Sequence, residues 1–283
     1  MKNKMLFITS DLSRQLIILA KKIARSGTPV AIAAPENKNS QFFDGPEIRL
    51  RRAFGHLFGK NKIRGFGSAI AFDKPAARLA ERAGIPASGY NGGVGIDLSV
   101  WNPGAVSGNR QTMLLGKYNI APHQKMIIAT DPDEKSIRAL ILGLEGSERN
   151  DFVIALYGAL TKKQARRISR RLEDEPRIIY LGNEPDLPTL MRASFAVMSF
   201  SDSAKFYKIA ALAMGRMTAW KKSKIAPNVA VKDDFAAAAF ALLDMPAKER
   251  ERFEKENVVR AAQFDMDKIV AKLKKLVRVR VGV

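Results

Sequence analysis

Short apolar runs alternate with amphipathic helical patterns along almost the whole chain. In the first third, apolar runs predict strands at residues 5–9, 29–34 and 67–72, with a further short strand after Ile85-Pro86. Apolar side chains at helical spacing predict helices at residues 12–25 and 74–83. A strand, a helix and a second strand in this order imply a parallel sheet with a right-handed crossover. Residues 35–64 are first polar and then basic, and their pattern predicts no element.

The alternation is clearer in the rest of the chain. Strands are predicted at residues 126–129, 152–156, 177–181, 195–200 and 217–220. Helices are predicted at residues 134–144, 162–172, 187–193 and 206–214, and three more close the chain at residues 233–243, 246–260 and 266–277. Strands that alternate with helices in this way are typical of a doubly wound parallel sheet.

The segment between the two regions is rich in glycine, asparagine and proline. Asn91-Gly92-Gly93 and Asn102-Pro103-Gly104 lie within residues 89–109, and such sequences are typical of turns and linkers. We therefore predict an α/β protein with a domain boundary here. The predicted parts are a small first domain at residues 1–92, a larger second domain at residues 93–264, and a C-terminal helix and tail at residues 265–283.

The amino-acid composition excludes several kinds of functional site. The chain has no cysteine, which excludes disulfides and thiolate chemistry, and its two histidines, His56 and His123, are too few for a histidine-based metal site without carboxylate ligands. The apolar run near the N-terminus is too short for a signal peptide, and no run approaches the roughly 20 apolar residues of a membrane helix, so we expect a cytoplasmic protein. The formal net charge of +20 favours anionic partners, namely phosphorylated ligands, a membrane surface or nucleic acid.

Several segments of the second domain follow one another at a recognisable spacing. They are GIDLSVWNP at residues 95–103, a strand and loop ending in Lys135, FVIALYG at residues 152–158, YLG and then LPTLMRAS within residues 180–194, and ALAMGR at residues 211–216. In this order they resemble the C-terminal domain of family-four glycosyltransferases, the retaining, nucleotide-sugar-dependent enzymes. The first domain is similar more loosely, over residues 5–35 and 66–86. The resemblance implies two Rossmann-like domains of the glycosyltransferase B type, the N-terminal one abbreviated.

The resemblance also implies a donor site. Ligands of such folds bind at the carboxyl ends of parallel strands, where helix N-termini attract a diphosphate. The donor-binding residues would be Thr130, Lys135, Gly158, Leu181, Gly182, Asn183, Lys205 and Lys208. Lys135 would hold the diphosphate with help from Lys205 or Lys208, and the backbone of residues 181–183 would hold the base. Exposed surface is the alternative for the last two lysines, and a plain strand end is the alternative for Gly158.

The acceptor side and the chemistry are less defined. In the family the loop holding Ser10 and Asp11 faces the cleft between the domains, whereas a plain helix cap is the alternative for both residues. No catalytic residue is assigned. We expect no cofactor and no metal, because lysine and arginine would neutralise the departing nucleoside diphosphate in place of a metal ion.

Three departures separate the chain from the family pattern. Thr130 stands where the family has an arginine, Ala210 or a deletion replaces a glutamate, and the matching part of the first domain has no histidine. Two interpretations therefore stay open. The chain is an active transferase that moves a hexose from a UDP- or GDP-sugar to a saccharide or lipid-linked acceptor in envelope polysaccharide synthesis, which we favour, or a catalytically degenerate protein that binds a membrane or another protein.

The basic residues suggest where an anionic surface would bind. One cluster interleaves cations with Phe54, Leu57 and Phe58, a pattern typical of peripheral contact with the inner face of a membrane. Its cations are Arg49, Arg51, Arg52, Lys60, Lys62 and Arg64. A stripe at Lys163, Arg166, Arg167 and Arg170 is either a solvated helix face or a second anionic contact. Nucleic acid is the least favoured partner, since only the charge supports it and no nucleic-acid-binding motif is evident.

Overall fold

The computed structural model describes residues 5–8, 14–28, 30–34, 48–52, 68–72, 74–82, 87–89, 95–158, 160–201, 205–221, 225–232 and 234–281. The chain divides into two compact units. The first comprises Met1–Ile96 together with Asp265–Val283, and the second comprises Asp97–Phe264. Both units are α/β, as the alternating pattern predicts.

The first unit contains a parallel sheet. Its described strands are β1 (Met5–Ile8), β2 (Val30–Ala34), β3 (Ile48–Arg52), β4 (Ser68–Ala71) and β5 (Ala87–Gly89), in the order β3-β2-β1-β4-β5. Every paired neighbour runs parallel. Helices α1 (Arg14–Arg25) and α2 (Lys74–Arg82) follow β1 and β4, because parallel strands need crossover connections.

The C-terminal helix belongs to the core of this first unit. Helix α10 (Met266–Val281) buries Met266, Ile269 and Leu273 in the same cluster as residues of β1 and α1. The backbone N–H of Met266 donates to the carbonyl of Ile96 at 2.9 Å. The sequence treats residues 265–283 as a separate segment, because helical periodicity identifies an apolar face but not the domain that covers it.

The second unit contains a larger parallel sheet. Its described strands are β6 (Lys125–Thr130), β7 (Phe152–Tyr157), β8 (Ile178–Gly182), β9 (Ala196–Ser199), β10 (Met217–Trp220) and β11 (Val229–Ala230), in the order β11-β10-β9-β6-β7-β8. Its helices are α3 (Gly108–Lys117), α4 (Glu134–Leu144), α5 (Lys162–Leu172), α6 (Leu187–Ala193), α7 (Lys205–Ala213), α8 (Phe235–Leu243) and α9 (Ala247–Ala261). Chain order reverses on either side of β6, which is the doubly wound arrangement of dinucleotide-binding folds.

The helix starts in this unit are set by side-chain caps. Asp133, Asp186 and Asp234 each accept a hydrogen bond from a backbone N–H in the first turn of α4, α6 and α8, and Thr161 forms a reciprocal capping box with Gln164 at α5. Such caps fix where each helix leaves the sheet. They therefore fix the loops that follow β6, β7 and β8.

Three elements lie where the sequence predicts none. Strand β3 forms within residues 35–64, α3 begins inside the predicted linker at residues 89–109, and β11 forms at Val229–Ala230. The linker also contributes to the second core, since Trp101 is buried and packs edge-on against Phe206 with ring centroids 5.4 Å apart. Among the described residues, no helix is long and apolar enough to cross a membrane.

Candidate functional site

The second sheet has its topological switch point between β6 and β9. Thr130 and Ser199, the last residues of these two adjacent strands, are register partners in the parallel pair. The connections that leave the two strands run in opposite directions along the sheet, which opens a crevice outside their carboxyl ends. Open α/β sheets bind their ligands in this crevice. We therefore take it as the candidate site.

Backbone hydrogen bonds connect neighbouring strand ends at this edge. Asp131 N donates to the carbonyl of Tyr157 at 3.1 Å, and Gly158 N donates to the carbonyl of Gly182 at 3.0 Å. Gly158 has a φ of +144°, and a Cβ built there would lie 3.0 Å from Cδ of Pro132. Only glycine fits this position without displacing the loop after β6. These hydrogen bonds hold the strand ends close together. Because Gly158 has no side chain, a ligand phosphate can approach the protein backbone here.

Asp131 directly follows β6, at the carboxyl end of the strand. It is one of two non-glycine residues with positive φ among the described residues, at +53°. Its Oδ2 atom is buried and has no hydrogen-bond partner in the part of the chain that the structure describes. Burial raises the pKa of the Asp131 carboxyl, and the positive charge of Lys208 opposes the rise. The crevice therefore contains an acceptor that is not satisfied from within.

Lys208 lies in the first turn of α7 and points inward. The residue is 1% exposed, and its Nζ atom lies 5.5 Å from the ring centroid of Trp220, the last residue of β10. Exposed surface is therefore wrong as the interpretation of Lys208. Lys205 is exposed at the start of the same helix, and its role in donor binding stays a prediction. A fully buried lysine is rare in globular proteins, and one that lies between two strand ends is a candidate for a binding site.

A row of aromatic rings connects the end of β7 with the start of α7. Tyr157 and Tyr207 meet edge to face with centroids 5.6 Å apart, and Tyr207 meets Phe206 at 5.6 Å. Burial raises the pKa of Tyr207, and the neighbouring Tyr157 and Asp131 raise it further. The row continues to Trp101, so the start of the second unit is packed against α7. This packing fixes the orientation of the helix that carries Lys205 and Lys208.

Lys135 lies exposed in the first turn of α4, directly after the crevice. Its neighbour Glu134 is paired with Arg167 and Arg171 of α5, at 3.4 and 3.6 Å. These contacts hold the first turn of α4 against α5. The carboxylate of Glu134 is therefore already paired with two arginines. The free N–H groups of a helix N-terminus attract phosphate, and the diphosphate-binding role of Lys135 beside them stays a prediction.

The loop after β8 is held by a buried carboxylate. Glu184 is 5% exposed; its Oε2 accepts hydrogen bonds from Lys117 Nζ at 2.5 Å and from the hydroxyl of Tyr118. Its Oε1 accepts from the backbone N–H of Asp186 at 3.2 Å. Burial alone would raise the pKa of Glu184, but the hydrogen bonds from Lys117 and Tyr118 outweigh it and the pKa is lowered. The ends of α3 and β8 are thereby tied together next to Gly182 and Asn183.

The structure brings most of the predicted donor residues to one edge. Gly158 and Gly182 are joined by a hydrogen bond, Leu181 is buried beside them, and Asn183 is exposed in the loop. Thr130 is fully buried and its hydroxyl donates to the carbonyl of Met198 at 3.4 Å, so its side chain lies inside the sheet.

Some predicted residues lie elsewhere or outside the described residues. Ser10, Asp11, Lys60, Lys62 and Arg64 fall outside the residues that the structure describes. Arg49, Arg51 and Arg52 lie in β3, in the other unit.

Sequence reasoning missed Asp131, Tyr157, Tyr207 and the Glu184 cluster. Asp131 had a usable signal, because a polar residue directly after an apolar run and before a proline lies at the carboxyl end of a strand. No local sequence signal indicated the partners of Glu184, because Tyr118 lies 66 residues away from it in the chain. The described residues contain no group of three His, Asp or Glu side chains that could hold a metal ion, and metal independence stays a prediction.

Comparisons with known proteins agree on the fold. No protein-family model matches the chain, and no curated protein matches it significantly. Among solved structures, a glycosyltransferase from Rickettsia africae superimposes with a TM-score of 0.76 at 12% identity, over 99% of each chain. Anabaena HepE in complex with UDP and glucose has a TM-score of 0.74 at 12% identity, over 98% of this chain and 99% of that one. Sucrose-phosphate synthase from Thermosynechococcus elongatus has a TM-score of 0.70 at 13% identity, over 99% of each. The whole chain therefore has the fold of the glycosyltransferases of type B.

Proposed function

We propose that this protein is a glycosyltransferase that takes a hexose from a UDP- or GDP-sugar and transfers it with retention of the anomeric configuration. The observation that carries the proposal is the polar crevice at the β6/β9 switch point, in a chain whose full length has this fold. The similar Anabaena protein was solved with UDP-glucose, which supports a nucleotide sugar as the ligand class. The acceptor we propose is a saccharide or a lipid-linked glycan of an envelope polysaccharide.

The charges around the crevice suit a departing nucleoside diphosphate. Lys135 and Lys205 are exposed in the first turns of α4 and α7, where free N–H groups and the positive ends of the helix dipoles also lie. Lys208 adds a buried cation between the strand ends. A fixed positive charge in a poorly solvated site stabilises charge that develops on a leaving group. In our proposal these lysines act without a metal ion.

The loop after β8 supplies the place for the base. Gly182 ends β8 and Asn183 follows it, and the hydrogen bonds that Glu184 accepts from Lys117 and Tyr118 hold the loop in place. A loop held in this way offers backbone N–H and C=O groups in one geometry, so a base that binds them loses little to reordering of the protein. The carboxylate of Glu184 is already occupied and would position the loop rather than touch the base.

The test is nucleotide binding by two substituted proteins. Thermal shift and isothermal titration calorimetry with UDP, GDP, ADP, CMP and their sugars are measured for the wild type, Lys135→Ala and Lys208→Met, with Lys255→Ala on the exposed face of α9 as the control. Met retains most of the buried volume of a lysine and removes its charge. We expect one nucleotide to bind selectively, both site variants to weaken it about tenfold or more through the loss of a charge-assisted contact, and the control to match the wild type. No binding to any nucleotide would refute the proposal, and unchanged affinity in Lys135→Ala would refute that assignment.

The degenerate alternative is favoured by two positions. Thr130 has its hydroxyl inside the sheet, and Ala210 is fully buried in α7, so neither presents a polar side chain to the crevice. A degenerate protein would bind nucleotide without releasing it from a nucleotide sugar. The two proposals are separated by measuring release of UDP or GDP from the donor that binds, in the presence and absence of saccharide acceptors.

A further inference from the structure

The crevice holds one polar atom that the described residues leave unsatisfied. Oδ2 of Asp131 is buried without a hydrogen-bond partner among them. A buried acceptor without a partner costs stability, and native structures rarely keep one unless it serves another purpose. The backbone at Asp131 adds to that cost, because a φ of +53° is unfavourable for most residues other than glycine, asparagine and aspartate. Two local penalties at one residue in a crevice indicate a residue retained for a ligand.

The charge of Asp131 restricts what that ligand can be. A carboxylate offers lone pairs and repels phosphate, which itself carries only acceptors at neutral pH. The lysines exposed at the starts of α4 and α7 are available for phosphate, whereas Asp131 lies directly after β6 and interacts electrostatically with Lys208 and Tyr207. The missing partner is therefore a group that donates a proton. The neutral donors of a nucleotide sugar are the N–H groups of the base and the hydroxyls of the ribose and the sugar. Because the base is proposed to bind at the loop after β8, the hydroxyls are the donors left for Asp131.

Lys208 makes this placement electrostatically consistent. Its charge acts on the Asp131 carboxyl and opposes the effect of burial, so the pair presents little net charge to a neutral sugar ring. Asp131 would accept from a hydroxyl while Lys208 faces the side of the leaving group. The two residues lie on different strand connections, so the site forms only when β6 and α7 are correctly packed.

We propose that Asp131 accepts a hydrogen bond from a hydroxyl of the donor sugar, and that this contact distinguishes a nucleotide sugar from the bare nucleotide. The inference rests on the proposed function and names the part of the donor that this side of the crevice recognises. It assigns to Asp131 the role of a specificity-determining residue for the sugar. The lysines are still proposed to bind the diphosphate, and the loop after β8 is still proposed to bind the base.

The experiment compares a bare nucleotide with its nucleotide sugar, for two such pairs, in each of four proteins. Affinities for UDP and UDP-glucose, and for GDP and GDP-mannose, are measured by calorimetry for the wild type, Asp131→Asn and Asp131→Gly. Both substitutions tolerate a φ of +53°, so the backbone is not the variable. Asn119→Gly is the matched control, since Asn119 has a φ of +54° and is exposed at the end of α3.

We expect Asp131→Gly to weaken the nucleotide sugar about ten- to a hundredfold and the bare nucleotide less than threefold, as loss of one hydrogen bond to a charged group predicts. Asp131→Asn keeps one acceptor oxygen and should lose less. The control should leave both affinities unchanged. An equal loss for both ligands, or no loss for either, would overturn the assignment of Asp131 and leave the proposed function standing. A wild type that binds neither pair would overturn both.

Discussion

Gly158 offers a stringent test of how the crevice is built. We consider the substitution Gly158→Ala. A φ of +144° lies in a region that only glycine populates readily, and holding another residue there costs of order 1–3 kcal/mol. The new methyl would also lie 3.0 Å from Cδ of Pro132, a ring atom that cannot move without the loop after β6, and such overpacking typically costs about 1–3 kcal/mol. Together we expect a loss of about 2–6 kcal/mol in the free energy of unfolding of the second unit.

Two other glycines separate these contributions. Gly146→Ala places an alanine at a φ of +78° with open space around its Cβ, so it should cost only about 1–2 kcal/mol of backbone strain. Gly108→Ala, at the start of α3, has open space and no positive φ, and should be close to neutral or slightly stabilising.

The assay is urea unfolding followed by tryptophan fluorescence. Both tryptophans of the chain, Trp101 and Trp220, lie in the second unit, so the signal reports on that unit. The expected order of destabilisation is Gly158→Ala, then Gly146→Ala, then Gly108→Ala. If Gly158→Ala is no more destabilised than Gly146→Ala, the close approach to Pro132 is not a constraint and the argument for a tightly built strand edge is wrong.

Two further predictions concern the loop after β8 and the basic cluster. Because the pKa of Glu184 is lowered in the folded state from its ordinary value of 4.5, its contribution to stability is complete above pH 4.5 and is lost as the pH falls through the lowered value. The stability gap between wild type and Glu184→Gln should therefore be constant above pH 4.5 and narrow as the pH is lowered further in urea titrations, and a gap that does not narrow would contradict the argument. Replacing Lys60, Lys62 and Arg64 by serine should weaken co-sedimentation with anionic vesicles more than tenfold at low salt, at about 1 kcal/mol per cation; a wild type that binds no anionic vesicles would exclude membrane contact.

The elements that sequence predicts well are those whose side chains all face the same environment. The central strands β6 and β7 are uninterrupted apolar runs because both of their faces are covered, and nothing competes with that pattern. Strand β3, with the sequence IRLRR, alternates apolar and basic residues in a region otherwise full of cations, so charge conceals its period. Helix α3 begins with glycine and contains a second one, which resembles the linker before it.

The positions of the candidate residues along the sheet edge were predictable from the sequence, and their surroundings were less so. Lys135 and Gly158 follow strands and can be placed at the sheet edge from order alone. Nothing local indicates that Lys208 is buried while Lys205 is exposed, because both are lysines of one helical turn and the difference arises from Trp220 in the next strand. Likewise, the unsatisfied oxygen of Asp131 is a property of everything that packs around it.

The return of α10 to the first unit affects the order in which the protein can be completed on the ribosome. The first core includes Leu16 of α1 and Leu273 of α10, whereas the second unit lies entirely between them in the chain. During synthesis from the N-terminus, all of Asp97–Phe264 emerges before α10 does. The second unit has its complete set of residues while the first still exposes the apolar surface that α10 will cover. The first unit is thus the first to be started and the last to be finished, and it is the part most dependent on protection from aggregation in the interval.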